Sequence, residues 1–299
     1  MDIQPNTSSN KMERNFNVRP SPIAGQWYPA EPGRLAASVD QYLADAQVPA
    51  VDGQILAVVA PHAGYLFSGP VAGYAFGVLR GLEPEMVAVV SPMHYPYDQE
   101  LLTSAHSAYQ TPLGCIAIDR QAVETLAHNL LEASGVALSP VCNDPEHSLE
   151  IELPFLQRAL AAEFSLLPVM VRDQSMTVAR SLGTALAKTL AGRNAIMVAS
   201  TDLSHFYPQK MAVALDSEVL QQLRALAPEG VYQVEEQGKG FACGRGALAA
   251  VMWAAKALGA DTVKVLRHGT SGDIFGDYLQ VVGYAAAVIT RRTPAELSS

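Results

Sequence analysis

Ile55-Leu56-Ala57-Val58-Val59-Ala60-Pro61-His62-Ala63-Gly64-Tyr65 is the stretch on which the reading of this chain turns. An unbroken apolar run leads into a proline, and a histidine follows at once. A run with no polar alternation fits a strand covered on both faces, the usual state of strands in a parallel sheet. Proline ends such a strand by removing a backbone donor and restricting the residue before it, so His62 is expected to project from a constrained turn. The same grammar returns at Val89-Val90-Ser91-Pro92-Met93-His94. A third apolar run, Ala195 to Ser200, passes directly into Thr201-Asp202-Leu203-Ser204-His205.

Further strand-like runs lie at Phe164 to Val171, Thr262 to Arg267 and Leu279 to Ile289. Between them, Ala and Leu recur at helical spacing over Arg120 to Ala133, Ser148 to Ala162, Ser175 to Ala191, Lys210 to Leu226 and Gly246 to Leu258. This alternation is the signature of parallel strands joined by crossover helices. The fold expected is α/β, with a mostly parallel central sheet and helices on both faces. From Leu101 to Asp119 the pattern predicts a hairpin instead, turning at Gln110-Thr111-Pro112-Leu113-Gly114. No linker-like stretch interrupts residues 18–291, which are expected to form a single domain. Residues 1–17 are polar, lack the apolar core of a secretory signal and read as a flexible tail, as do residues 292–299.

Composition removes several functions. With 49% hydrophobic and only 16% charged residues, the chain has the balance of a well-buried globular body. Its net charge of −9 opposes binding to phosphate backbones or anionic lipid, which require a basic footprint. No apolar run approaches the ~20 residues of a bilayer span. The expected partners therefore exclude nucleic acid and membrane, and the expected address is cytoplasmic. Three cysteines, Cys115, Cys142 and Cys243, are too few and too scattered for a disulfide framework.

Open α/β sheets bind ligands beyond the carboxyl ends of their strands, which singles out His62, His94, Asp202 and His205. One such histidine is ordinarily satisfied by backbone groups at a strand end. Repetition at equivalent points of the topology favours a shared site. Asp202 and His205 add a carboxylate and an imidazole able to orient each other, as a general base requires. Cys243 sits in Phe241-Ala242-Cys243-Gly244-Arg245-Gly246, where a helix N-terminus would favour its thiolate; it is either a ligand or a small buried residue of a tight turn. In Glu146-His147-Ser148-Leu149-Glu150, Ser148 is expected to cap the following helix, while Glu146 or His147 could line the pocket rim. Cys115 and Cys142 are expected to be buried. His106, His128 and His268 are expected to be structural.

Taken with Ile23-Ala24-Gly25-Gln26-Trp27-Tyr28-Pro29 and Gly283-Tyr284-Ala285-Ala286, these segments resemble the Memo family over almost the whole chain. That family is related in fold to the catalytic subunit of class III extradiol dioxygenases. The resemblance implies that His62, His94 and Cys243 are metal ligands, that Asp202 and His205 accompany them, and that His205 stands where the dioxygenases hold their acid/base histidine. It further implies a small-molecule or peptide ligand, with Trp27 placed where the animal protein has its peptide-contacting tryptophan, a position near the domain's start that equally suits a packing anchor. Relatives in bacteria and archaea are often associated with a radical-SAM protein and an AMMECR-type domain, in the AmmeMemoRadiSam system. Two departures matter. The dioxygenases place a glutamate where this chain offers Cys243, so iron, copper and zinc are all compatible with the donor set. After Arg245, animal members carry a histidine where this chain has Gly246. Three functions fit: a metal-dependent, dioxygenase-like redox protein, a non-catalytic peptide- or protein-binding module, and a zinc-assisted hydrolase.

Overall fold

The computed structural model describes residues 17–292. In chain order the elements are β1 (Val18–Arg19), α1 (Pro32–Asp45), β2 (Gln54–Ala60), α2 (Tyr65–Gly77), β3 (Met86–Pro92), β4 (Leu101–Ser104), β5 (Ala108–Thr111) and β6 (Gly114–Ala117). Next come α3 (Arg120–Ser134), β7 (Leu138–Val141), a 3-10 turn at Glu150–Glu152, α4 (Leu153–Ala159), β8 (Ser165–Val171), α5 (Met176–Leu190), β9 (Ala195–Ser200) and β10 (His205–Tyr207). The chain finishes with α6 (Gln209–Arg224), α7 (Pro228–Glu236), α8 (Arg245–Ala257), β11 (Thr262–Thr270), α9 (Gly272–Phe275) and β12 (Val281–Arg291).

The main sheet runs β10-β12-β2-β9-β3-β8-β4-β7, with β11 also paired to β12. Its centre, β2-β9-β3-β8, is parallel throughout. Toward one edge β12 runs antiparallel to β2, and toward the other β4 runs antiparallel to β8, so the sheet as a whole is mixed. Every residue from Leu56 to Ala60 and from Met86 to Pro92 is buried, which requires cover on both faces of the central strands. Helix α8 lies across β2, β9, β3 and β8 with α5 beyond it, and α2 packs on β2 and β12 with α1 and α4 outside it.

Local chemistry explains where helices begin. Asp119 accepts from the backbone N–H of Ala122 at the start of α3, and Ser175 does the same for Val178 at the start of α5. Close helix packing explains two glycines. A Cβ on Gly73 would lie 2.3 Å from the carbonyl oxygen of Tyr42, and one on Gly183 would lie 2.7 Å from that of Ala250. Only a bare backbone lets α2 approach α1, and α5 approach α8, so closely.

Several sequence expectations are corrected. The hairpin consists of β5 and β6 turning at Pro112-Leu113, whereas β4 leaves it and pairs with β8 and β7 in the main sheet. Cys115 and Cys142 are exposed, because β6 is an edge strand of the small sheet β1-β5-β6 and Cys142 follows β7, the edge of the large one. Ser148 caps no helix: its hydroxyl donates to the carbonyl of Pro92, and regular α-helix starts only at Leu153. Asn17 and Arg292, assigned to the tails, are anchored. The Asn17 carbonyl accepts from the Ser107 N–H at 2.8 Å, and Arg292 Nε donates to Asp261 at 2.9 Å. The remainder of both tails lies outside the described residues. Among the described residues no helix is long and apolar enough to cross a membrane.

Candidate metal centre

Strands β2, β9 and β3 are neighbours, with β9 between the other two, and being parallel they bring their carboxyl ends side by side. His62 leaves β2, His94 leaves β3 and Asp202 leaves β9. The fourth element is the turn before α8. Its Cys243 N–H donates to the Asp202 carbonyl, and its Gly244 comes so near β9 that a Cβ would lie 2.4 Å from the Ser200 carbonyl oxygen. A glycine at position 244 is therefore what lets the cysteine reach the strand ends.

The donor atoms of His62, His94 and Cys243 all lie within 4.8 Å of one another. Cys243 Sγ is 3.1 Å from His62 Nε2 and also accepts from the Asp202 N–H at 3.2 Å. One ion at ordinary metal–nitrogen and metal–sulfur distances of about 2.0 and 2.3 Å spans such a group. The remaining ring nitrogens are engaged behind it. His62 Nδ1 meets Ser200 Oγ at 2.9 Å, and His94 Nδ1 donates to Glu146 Oε1 at 3.0 Å. A partner on Nδ1 is the arrangement that orients an imidazole and presents its Nε2 lone pair.

Glu146, His94 and His147 also cluster, but this second group is committed to hydrogen bonding. Glu146 Oε1 accepts from the N–H groups of His147 and Ser148 as well as from His94 Nδ1, and Oε2 accepts from the His94 N–H. Burial alone would raise the Glu146 pKa; the bonds and charge it receives from His94 and His147 override this and hold it below the usual carboxylate range. Glu146 thus supports His94 from behind.

His147 forms one wall. Its ring stacks on Trp27, with centroids 3.9 Å apart, and on His94 at 4.8 Å, while His62 stands edge-on to both histidines. Burial pushes His147 down to about 4 and His62 well below the ordinary histidine value. These rings are neutral at neutral pH and available as donors of lone pairs. Burial also pushes the Cys243 thiol up, contrary to the expected thiolate, so a cation is needed to draw off its proton.

Asp202 and His205 are close to the centre but do not orient each other. Asp202 Oδ1 accepts from the His62 N–H at 2.8 Å, bracing the turn that carries the first histidine. Its burial raises the carboxyl to about 7 against the opposing bonds from His62 and Ala63. His205 donates from Nδ1 to the Leu203 carbonyl at 2.7 Å instead.

Residues not foreseen from sequence complete the scaffold. Gln174 clamps the cysteine turn, donating to the Cys243 carbonyl at 2.7 Å and accepting from the Gly246 N–H at 3.0 Å. Arg19, 1% exposed, donates to both carboxylate oxygens of Asp144, to Glu150 and to the carbonyl of Glu146. Tyr28 donates to the same Glu150 at 2.6 Å. The segment carrying Trp27 is thereby tied to the loop carrying His147. A Glu-x-Glu pair at Glu150 and Glu152, inside the otherwise apolar Leu149 to Phe155, was the available signal for this buried network.

Comparison with known proteins shows a family. The family model described as Memo-like protein matches residues 19–288. A MEMO1 family protein of Nitrosopumilus maritimus is 33% identical over 273 residues, covering 90% of this chain and 98% of the relative. One from Methanopyrus kandleri is 37% identical over 280 residues, covering 90% and 98%, and one from Thermotoga maritima is 31% identical over 278 residues, covering 89% and 98%.

Proposed function

This chain belongs to the Memo-like protein family, and from that premise we propose that it is a metal-dependent redox protein holding iron or copper on His62, His94 and Cys243. The observation that carries the reading is the convergence of two imidazoles and one thiol with both Nδ1 atoms already engaged by Ser200 and Glu146. Iron or copper bound there would supply one-electron chemistry and a site for oxygen; zinc would supply only a Lewis acid.

The chain's own groups then have separable tasks. His62, His94 and Cys243 bind. Glu146 and Ser200 orient the two rings, and Trp27 with His147 closes one side against water. His205, whose Nδ1–H is spent on the Leu203 carbonyl, can take a proton only at Nε2. Burial lowers its pKa, which leaves that nitrogen unprotonated at neutral pH and suited to act as a base.

Metal content of anaerobically purified protein tests the reading, with His62→Ala and Cys243→Ala as variants. Each is expected to lose most of its bound metal. Unchanged stoichiometry in both removes the site.

A peptide-binding function of the same site has its own support in the rim. Phe206, 68% exposed, and Phe241 both contact the ring of His205 and stand free beside the opening. The two readings part over metal. A binding module retains its peptide after chelation, whereas the redox protein consumes oxygen or substrate only when loaded.

A further inference from the structure

Ser200 Oγ stands at the centre of three short contacts: His62 Nδ1 at 2.9 Å, the Ser148 carbonyl oxygen at 2.7 Å and Glu152 Oε1 at 2.7 Å. A hydroxyl offers one hydrogen and two lone pairs, and a carbonyl oxygen only accepts. The hydrogen between Ser200 and Ser148 must therefore come from Ser200. Both lone pairs of Oγ are then left facing His62 Nδ1 and Glu152 Oε1, and each of those atoms must bring a hydrogen of its own. The alternative gives the Ser200 hydrogen to an ionised Glu152. It leaves the Ser148 and Ser200 oxygens 2.7 Å apart with no hydrogen between them, in a region where all four residues are buried. A buried acceptor left without a donor loses its hydration and gains nothing in return, which disfavours that arrangement.

We propose that Glu152 is a neutral carboxylic acid whose proton points at Ser200, and that through Ser200 it fixes His62 with its proton on Nδ1 and its lone pair on Nε2, toward Cys243. Glu152 is a positioning residue in this scheme. It is 1% exposed, and among the described residues no Lys, Arg or His forms an ion pair with it. Burial pushes its carboxyl well above the ordinary value against the opposing bond to Ser200, and the charge of nearby Asp202 adds to the rise, in the direction that the hydrogen count requires. Its neighbour Tyr65 gives its own hydroxyl proton to the Ile151 carbonyl at 2.8 Å and supplies nothing to Glu152. Glu150, two residues earlier in the same 3-10 turn, shows the contrast: it meets a guanidinium, whereas Glu152 meets a hydroxyl.

The protonation state stands independently of the metal reading; only the use made of the Nε2 lone pair rests on it. Infrared difference spectra of metal-free wild type and Glu152→Gln at pH 7 test the first part. The expected result is a protonated-carboxyl carbonyl band in the wild type that is absent from the variant and persists in Asp202→Asn. Loss of ionised-carboxylate bands in Glu152→Gln overturns the proposal. Should that variant not fold, 13C-glutamate labelling of the wild type decides the same point, since a band of neutral acid must then move with the label. Nitrogen-15 NMR of His62 tests the second part. The Nδ1–H tautomer is expected in wild type and Glu152→Gln, whose amide also donates, and a mixed tautomer in Ser200→Ala; one unchanged tautomer in all three overturns it. Zinc binding should weaken about 10–100-fold in Ser200→Ala and little in Glu152→Gln. A wild type that binds neither zinc, iron nor copper but keeps the acid band refutes the metal site and leaves the acid standing.

Discussion

The ring of Trp27 lies on the ring of His147 with their planes 24° apart, and the other face of that imidazole looks onto His94. An N-terminal side chain is in this way part of a wall whose other members come from two separate loops. The contact makes the condition of one titratable ring a matter of packing as well as charge.

His147 supplies a pH-dependent stability. Burial holds its pKa at about 4, whereas in an unfolded chain it is near 6.5. Between these values the unfolded chain binds more protons, so stability falls as pH drops through the window, by on the order of 3 kcal/mol in full. Asp202, raised to about 7, works in the opposite sense, so the difference between proteins is the informative quantity. His147→Phe keeps a ring against Trp27 and cannot titrate. Its urea midpoint should change less unfavourably than that of the wild type between pH 7 and pH 5; parallel behaviour would show that His147 does not carry the effect.

Glu146→Gln should weaken zinc binding about 10–100-fold, because a single amide oxygen cannot replace two carboxylate oxygens that hold His94 through both its ring and its backbone. A titration with a competing chelator measures this. Wild-type affinity in the variant would mean that His94 needs no support from behind.

Arg19→Met leaves Asp144 and Glu150 without their cation in a buried place. The expected loss is about 3–5 kcal/mol in denaturant unfolding. Adding Asp144→Asn and Glu150→Gln should restore a large part of it, since the penalty comes from uncompensated charge. A triple variant no better than the single one would point to lost packing against Tyr109, over whose ring the guanidinium lies at 4.8 Å.

Gly73→Ala forces α2 away from the Tyr42 carbonyl, and overpacking of this kind costs about 1–3 kcal/mol. A shift of the thermal midpoint to lower temperature is the expected reading. No shift would mean that the α1–α2 contact yields freely.

Sequence periodicity was most informative where burial is two-sided. Ala195 to Ser200 has the same limits in sequence and structure, the strand at Gln54–Ala60 starts one residue before the apolar run that opens at Ile55, and the run through Val89 to Pro92 ends the strand Met86–Pro92. Those strands carry His62, His94 and Asp202, so the convergence of the site was legible too. Helix α2 was not, because buried residues occupy nearly every side of it and leave no polar stripe to define a period. Strand β10 is only three residues long. The partnership of Asp202 with His205 was read from closeness along the chain, but direction settles such pairs, and the turn gives His205 to Leu203. The roles of Ser200, Glu152 and Gln174 depend on hydrogen-bond partners 48 to 138 residues away along the chain, which no local pattern encodes.

His62 and Cys243 touch although 181 positions separate them in the chain. A ribosome must therefore have delivered most of the polypeptide before the third donor exists at all. Truncated products ending short of that cysteine would offer two imidazoles and no sulfur, so the three proposed donors can come together only after the turn before α8 has been made.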